Sequence, residues 1–215
     1  MSASGSRRLL AAQPISAVPA VAASVLSTDL SRLTRDVRGA TRAGAAWVHV
    51  DVLDDRAPSG LPSRAAARPA PATLDVHLLV RPAEGLVRAL VRAGADLVTF
   101  HPEATESVRR TVALVRGLGC GVGLALDAAT PLGDLAGVIG DLDLVLLVSL
   151  DSGGAGPAGL RPTLERIRAL RRRITATGRR IAVEVDGGVR PQNVRELVRA
   201  GADVLVAGPA LPRAR

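Results

Sequence analysis

Short apolar runs alternate along this chain with stretches in which apolar positions recur every three or four residues. The first pattern is that of buried strands and the second that of amphipathic helices. Three segments state it most plainly: Arg42-Ala43-Gly44-Ala45-Ala46-Trp47-Val48, Arg92-Ala93-Gly94-Ala95-Asp96-Leu97-Val98 and Arg199-Ala200-Gly201-Ala202-Asp203-Val204-Leu205. Each reads as a helix end, a left-handed glycine and a short apolar strand, which makes Gly44, Gly94 and Gly201 C-cap candidates. Reading outward from them predicts strands over residues 21–26, 47–53, 74–79, 97–100, 121–126, 142–148, 181–185 and 204–207. Helical patterns fall at 29–43, 83–93, 103–117, 132–139, 162–176 and 191–200, while the Pro- and Ala-rich segment 56–72 holds at most a short helix.

Near-continuous apolar strands alternating with helices form a parallel sheet covered by helices. Eight of them predict an α/β fold closed as a (β/α)8 TIM barrel. The competing open, doubly wound sheet would carry a G-x-G-x-x-G after its first strand, and none is present. Residues 1–18 read as a flexible N-terminal extension and 19–215 as the barrel. Arg7-Arg8-Leu9-Leu10 has the start of a twin-arginine export pattern, but Gln13 and Pro14 interrupt the apolar stretch that should follow. The chain ends at Arg215, soon after the eighth strand, so the final helix is expected to be truncated or missing. The groove it leaves would be filled by the N-terminal extension, covered by a partner subunit or left open.

Composition narrows the chemistry. All 28 basic side chains are arginines, because the chain has no lysine. Schiff-base, pyridoxal-phosphate and P-loop mechanisms, which need an amine, are thereby excluded. The net charge is +8, yet Trp47 and Phe100 are the only aromatic residues, so stacking on single-stranded nucleic acid has little to work with. No nucleic-acid partner is expected. Cys120 stands alone, which excludes an internal disulfide and a cysteine-cluster metal site and fits a reducing, cytoplasmic compartment. No apolar run is long enough to span a bilayer, so no membrane partner is expected either.

In such barrels the chemistry gathers at the C-terminal ends of the strands. The second strand ends Trp47-Val48-His49-Val50-Asp51, and strand periodicity puts His49 and Asp51 on one face and the valines on the other. The third strand carries Asp75 and His77 on a shared face, the seventh ends at Asp186, and the fourth ends at His101. A lone histidine at a strand end reads as a hydrogen-bonded buried polar group. Four groups meeting in one mouth (His49, Asp51, His77 and Asp186) read more simply as ligands of a divalent cation, since uncompensated carboxylates repel one another. Two imidazoles and two carboxylates suit zinc, manganese, iron or cobalt.

The chain resembles the ribulose-phosphate 3-epimerase family from about residue 21 to 208. The resemblance is carried by Ala23-Ser24-Val25-Leu26-Ser27, His49-Val50-Asp51-Val52-Leu53-Asp54, Asp75-Val76-His77-Leu78, His101-Pro102-Glu103-Ala104, Ala129-Thr130-Pro131-Leu132, Glu184-Val185-Asp186-Gly187-Gly188 and Val206-Ala207-Gly208. It implies a barrel of the ribulose-phosphate-binding type and one divalent metal ion held by His49, Asp51, His77 and Asp186. It also implies that Asp51 and Asp186 act as an acid–base pair. Ser24, His77, Gly187, Gly188 and Gly208 would contact a sugar-phosphate substrate, and a homo-oligomer is the expected assembly. The implied reaction is inversion of C3 of a ketose phosphate through an enediolate, D-ribulose 5-phosphate to D-xylulose 5-phosphate by default. Another ketose or ketose phosphate, or a degenerate barrel with a binding role, is the alternative.

The departures lie around the substrate. Where the family carries methionines near the reacting carbons, this chain has Leu53, Leu79 and Val148, which keep apolar bulk without the polarizable sulfur. The loop after the sixth strand, Asp151-Ser152-Gly153-Gly154-Ala155-Gly156-Pro157, keeps its glycines but lacks the family's aromatic residue. Pro209 follows Gly208 and offers no N–H to a phosphate, with Arg190 the nearest arginine in sequence to compensate.

Overall fold

The computed structural model describes residues 19–27, 39, 40, 42, 45–53, 72–149 and 157–208. Eight parallel strands close into a barrel in sequence order: β1 (Ala20–Ser27), β2 (Trp47–Val52), β3 (Thr73–Leu78), β4 (Leu97–Phe100), β5 (Gly121–Leu126), β6 (Leu144–Val148), β7 (Ala182–Asp186) and β8 (Val204–Ala207). The ring is sealed by β1 against β8, with Ala20 opposite Val204 and Ala23 opposite Ala207. Four α-helices lie among the described residues: α1 (Glu84–Ala93), α2 (Val108–Gly117), α3 (Pro157–Ala176) and α4 (Val194–Ala200). The chain is also helical at Gly39, Ala40 and Arg42, inside the first helix that the sequence predicts.

Side-chain alternation sorts the strands into two cores. Val48, Val50, Val76, Val98, Phe100, Val122 and Val183 point outward and pack with helical residues such as Leu86, Leu90, Val115, Ile167 and Leu197. The opposite parity points inward, where Ala22, Trp47, Leu97, Ala125, Leu144, Leu146, Ala182, Val204 and Val206 form a second apolar cluster. Burial of each large side chain contributes roughly 1.5–3 kcal/mol. The inward parity also carries His49, Asp51, Asp75, His77, Thr99, Glu184 and Asp186 into the barrel. Strand periodicity alone thus turns scattered polar residues into one interior group.

The aspartate that stands just before three of the strands has a structural reason. Asp96 accepts the Leu74 N–H at 2.8 Å, Asp143 the Val122 N–H at 3.0 Å and Asp203 the Val183 N–H at 2.8 Å. Each carboxylate satisfies a backbone donor at the start of the preceding strand, which fixes strand register at the bottom of the barrel. Asp203 also pairs with Arg171, whose guanidinium donates to the carbonyls of Gly201 and Ile181. Gly94 and Gly201 are left-handed C-caps, with φ of 106° and 119°. A Cβ on Gly201 would also meet the Arg171 side chain at 2.4 Å.

Several helix boundaries differ from the sequence expectation. The pattern over 132–139 forms two 3-10 turns, Leu132–Leu135 and Ile139–Asp141, separated where Gly137 takes a φ of 78°. The pattern over 103–117 is split into a 3-10 turn (Pro102–Ala104) and α2, whose start is set by the Ser107 side chain accepting the Arg110 N–H. Helix α3 begins at Pro157, five residues before the expected start, and carries Pro162 inside it. Helix α4 starts at Val194, after a turn in which Asn193 accepts the Arg190 N–H and donates to the Gly188 carbonyl. The N-terminal extension (1–18), Gly44, most of 56–72 and the place of the final helix (209–215) lie outside the described residues. Among the described residues no helix is long and apolar enough to cross a membrane.

Candidate active site

Parallel pairing brings the polar residues of β2 and β3 side by side. His49 lies opposite Asp75 and Asp51 opposite His77, while His49 also faces Ser24 across the β1–β2 seam. His77 pairs with Thr99 of β4, and Asp186 ends β7 beside Val148. Ligand atoms of His49, Asp51 and His77 lie within 4.8 Å of one another, all three residues buried. Asp186 stands at the tip of β7, outside that tight group, on a strand three steps round the ring from β2.

His49 is held at one ring nitrogen and unsatisfied at the other. Its Nδ1 is 2.7 Å from Asp75 Oδ2, with Glu184 Oε1 farther off at 3.5 Å. Its Nε2 is buried without a hydrogen-bond partner; Asp51 Oδ1 is 3.3 Å away but out of line for a hydrogen bond. The His77 Nδ1 lies 3.0 Å from Asp51 Oδ1, and its Nε2 is 2.9 Å from the Nε2 of His101. The His101 Nδ1 in turn faces Asp127 at 3.7 Å.

Burial and mutual charge divide these groups electrostatically. Burial would raise Asp51, but the two neighbouring imidazoles outweigh it and hold the carboxyl well below the usual carboxylate range. Burial pushes Asp186 upward; His49, His77 and the Gly187 N–H pull the other way, and the Asp51 charge adds to the rise. Burial would lower His49, yet the charge of Glu184 and the carboxylates around it raise it well above the ordinary value. Glu184 is fully buried with neither oxygen hydrogen-bonded, and burial followed by the Asp75 charge pushes it up to about 8. His101 is lowered by burial and by the His77 charge, with Asp127 and Glu103 pulling the other way.

The donor set fits a divalent metal ion. A buried imidazole nitrogen without a partner is costly. The His49 Nε2 is such an atom, and a carboxylate and a second imidazole converge on the same spot. Both histidines make a hydrogen bond through their other ring nitrogen, as metal-bound histidines do.

Around the mouth, Leu53 and Leu79 continue the inward parity one step above Asp51 and His77, and Val148 lies opposite Asp186. Leu53 and Leu79 are exposed and Val148 is half-buried, so the three form an apolar rim. Ser24 is half-buried beside His49. Gly187 and Gly188 follow Asp186 with φ of 91° and 67°, a backbone path that L side chains rarely take. A Cβ on Gly187 would also sit 3.2 Å from the Ser149 carbonyl oxygen. Gly208 follows β8 with open space beside it, and the Arg190 side chain is exposed on the turn after Gly188.

Asp75, Thr99, His101 and Glu184 all carry the inward parity of the site, yet the sequence alone predicts no metal or catalytic role for them. Parity was the signal available for them. Which of them touch one another depends on the strand pairing.

A closed parallel barrel with acid, base and imidazole groups at the C-terminal ends of its strands defines a TIM-barrel enzyme. Solved structures of similar shape share the fold. The mutant (E131) tryptophan synthase α-subunit of Pyrococcus furiosus has a TM-score of 0.64 at 16% identity, over 89% of this chain and 87% of that one. The thiamine phosphate pyrophosphorylase of Pyrococcus furiosus has a TM-score of 0.62 at 19% identity, over 91% and 88%. Residues 20–211 match the model of the ribulose-phosphate 3-epimerase family. The chain is 43% identical over 199 residues to the ribulose-phosphate 3-epimerase of Escherichia coli K12, covering 89% of this chain and 88% of that protein. It is 40% identical over 197 residues to the ribulose-phosphate 3-epimerase of Serratia marcescens, covering 89% and 94%. The chain belongs to the ribulose-phosphate 3-epimerase family. It is an enzyme of the isomerase class.

Proposed function

We propose that this enzyme interconverts D-ribulose 5-phosphate and D-xylulose 5-phosphate by inverting C3, with one divalent ion and with Asp51 and Asp186 as the acid–base pair. The observation that carries the reading is the buried, unpartnered Nε2 of His49 beside Asp51 and His77, under a mouth to which β7 contributes Asp186. His49, Asp51 and His77, joined by Asp186, would hold zinc, manganese, iron or cobalt. When bound, the ion supplies Lewis-acid stabilisation of the negative charge that develops on the substrate's oxygens.

The chain's own residues account for the proton movements. An ionised Asp51 takes the proton from C3, and the electron pair of that C–H bond passes into the adjacent ketone, leaving an enediolate. Asp186, raised by burial, carries the proton that is returned to C3 from the opposite face. After one turnover Asp51 holds a proton and Asp186 is ionised, which is the starting state for the reverse reaction. Leu53, Leu79 and Val148 give the mouth an apolar rim beside the reacting carbon. Gly187, Gly188 and Gly208 leave room for backbone N–H groups to approach the phosphate, with Ser24 near the sugar.

Product formation tests this reading. Purified protein loaded with manganese or zinc and given ribulose 5-phosphate is expected to yield xylulose 5-phosphate, read by NMR. Loss of product in both Asp51→Asn and Asp186→Asn, with the fold retained, is the expected pattern. Near-normal turnover in either variant would refute the acid–base pair.

A further inference from the structure

We propose that Asp75, braced by Thr99, is a positioning residue that presents the Nε2 of His49 to the metal ion. The inference rests on the metal-dependent reading above. Three side chains form the chain of contacts, each with no exposed surface: His49 Nδ1 is 2.7 Å from Asp75 Oδ2, and the Thr99 hydroxyl donates to Asp75 Oδ1 at 2.9 Å. The contacts step from β2 to β3 to β4 along the inner wall of the barrel. On β5 the chain ends in a space kept by Gly123, where a Cβ would lie 2.3 Å from the Thr99 Oγ1.

The geometry gives Asp75 a task that bare packing would not. With the ion bound, a carboxylate at hydrogen-bond distance from Nδ1 holds the proton on that nitrogen and leaves Nε2 to face the metal. It also prevents the ring from turning over, which would exchange the two nitrogens. Nε2 is the atom without a partner, aimed at the space shared with Asp51 and His77. The other nearby acceptor, Glu184 Oε1, is farther from Nδ1 at 3.5 Å. Thr99 fills the second oxygen of Asp75, so the carboxylate cannot swing away from His49.

Cobalt binding to the full-length protein tests this without reference to turnover. Equilibrium affinity and the visible d–d absorption of bound Co2+ are measured for wild type, Asp75→Asn, Thr99→Val and Thr99→Ser. Asp143→Asn, which removes a strand-end carboxylate away from the site, is the control. Losing a partner of a metal-bound histidine typically costs about 10–100-fold in metal affinity. A loss of that size with an altered d–d band is expected for Asp75→Asn, and a several-fold loss for Thr99→Val. Thr99→Ser, which keeps the hydroxyl, and Asp143→Asn are expected to bind as wild type does. Wild-type affinity and spectrum in Asp75→Asn would overturn the positioning role. Equal affinities for Thr99→Val and Thr99→Ser would do so even if Asp75→Asn fails to fold. A wild-type protein that binds no cobalt would instead overturn the metal-dependent reading itself.

Discussion

The Nδ1 of His77 and the Oδ1 of Asp51 stand 3.0 Å apart across the β2–β3 seam, because the parallel register sets the two residues directly opposite each other. This pairing couples a ligand candidate to the proposed base. It helps hold Asp51 ionised against the burial that would otherwise neutralise it. The same register sets His49 against Asp75 one layer deeper. Two histidines and two aspartates on adjacent strands thus form two stacked pairs, the upper one at the mouth and the lower one inside the wall.

Replacing Asp186 with asparagine removes one of the two proton carriers while keeping shape. General acid–base groups typically contribute about 10²–10⁴-fold to rate. A fall of that order in turnover is expected, with melting temperature close to wild type, as measured by NMR assay and thermal unfolding.

His49→Ala removes the unpartnered nitrogen and leaves Asp75 and Glu184 buried without their imidazole neighbour. Bound metal, measured by elemental analysis after dialysis, is expected to fall well below the wild-type content. Chelation of the wild-type protein is expected to lower its melting temperature in a metal-concentration-dependent way, since a ligand that binds only the folded state stabilises it by mass action. A melting temperature indifferent to chelator would count against a resident ion.

Much of this architecture is legible in the sequence because a barrel strand needs apolar residues on both faces. The runs around Val48, Val98, Val122 and Val183 mark their strands unambiguously, and period two puts His49, Asp51, His77 and Asp186 on the inner wall. The helices are less legible where tertiary packing overrides local pattern. The segment at 132–139 has helical spacing, yet Gly133 and Gly137 weaken a helix enough that two short turns replace it. The interior partners are the least legible. Thr99 and Glu184 sit in strands whose neighbours are apolar, and their contacts with Asp75 and His49 arise from strand pairing. Sequence separation carries no trace of that pairing.

Gly123 is expected to tolerate no side chain at wild-type stability. A Cβ there would meet Thr99 Oγ1 at 2.3 Å, and overpacking of this kind costs about 1–3 kcal/mol. Denaturant unfolding of Gly123→Ala is expected to show such a loss. In a Thr99→Ala background the clash is gone, so the same substitution is expected to cost much less. Additive losses in the two single variants and the double variant would refute the contact.

Glu84, at the first turn of α1, accepts hydrogen bonds from Thr105 and, at 2.6 Å, from Thr111. Burial opposes its ionisation, but these hydroxyls and its own backbone N–H hold it below its ordinary value of 4.5. A depressed folded-state value means that the stabilisation is present above about pH 4.5 and is lost as pH falls through the lower, folded value. Glu84→Gln is therefore expected to flatten the acid limb of the stability–pH curve below pH 4.5, with little change in its shape above. An unchanged acid limb in urea unfolding would contradict this.

The most direct measurement is hydrogen exchange at the reacting carbon. Ribulose 5-phosphate incubated with the metal-loaded protein in deuterium oxide is expected to acquire deuterium at C3, in the recovered substrate and in the xylulose 5-phosphate formed, and Asp186→Asn is expected to lose the product. Xylulose 5-phosphate formed with protium retained at C3, or a ketose phosphate recovered with no deuterium at all, would contradict the two-aspartate account.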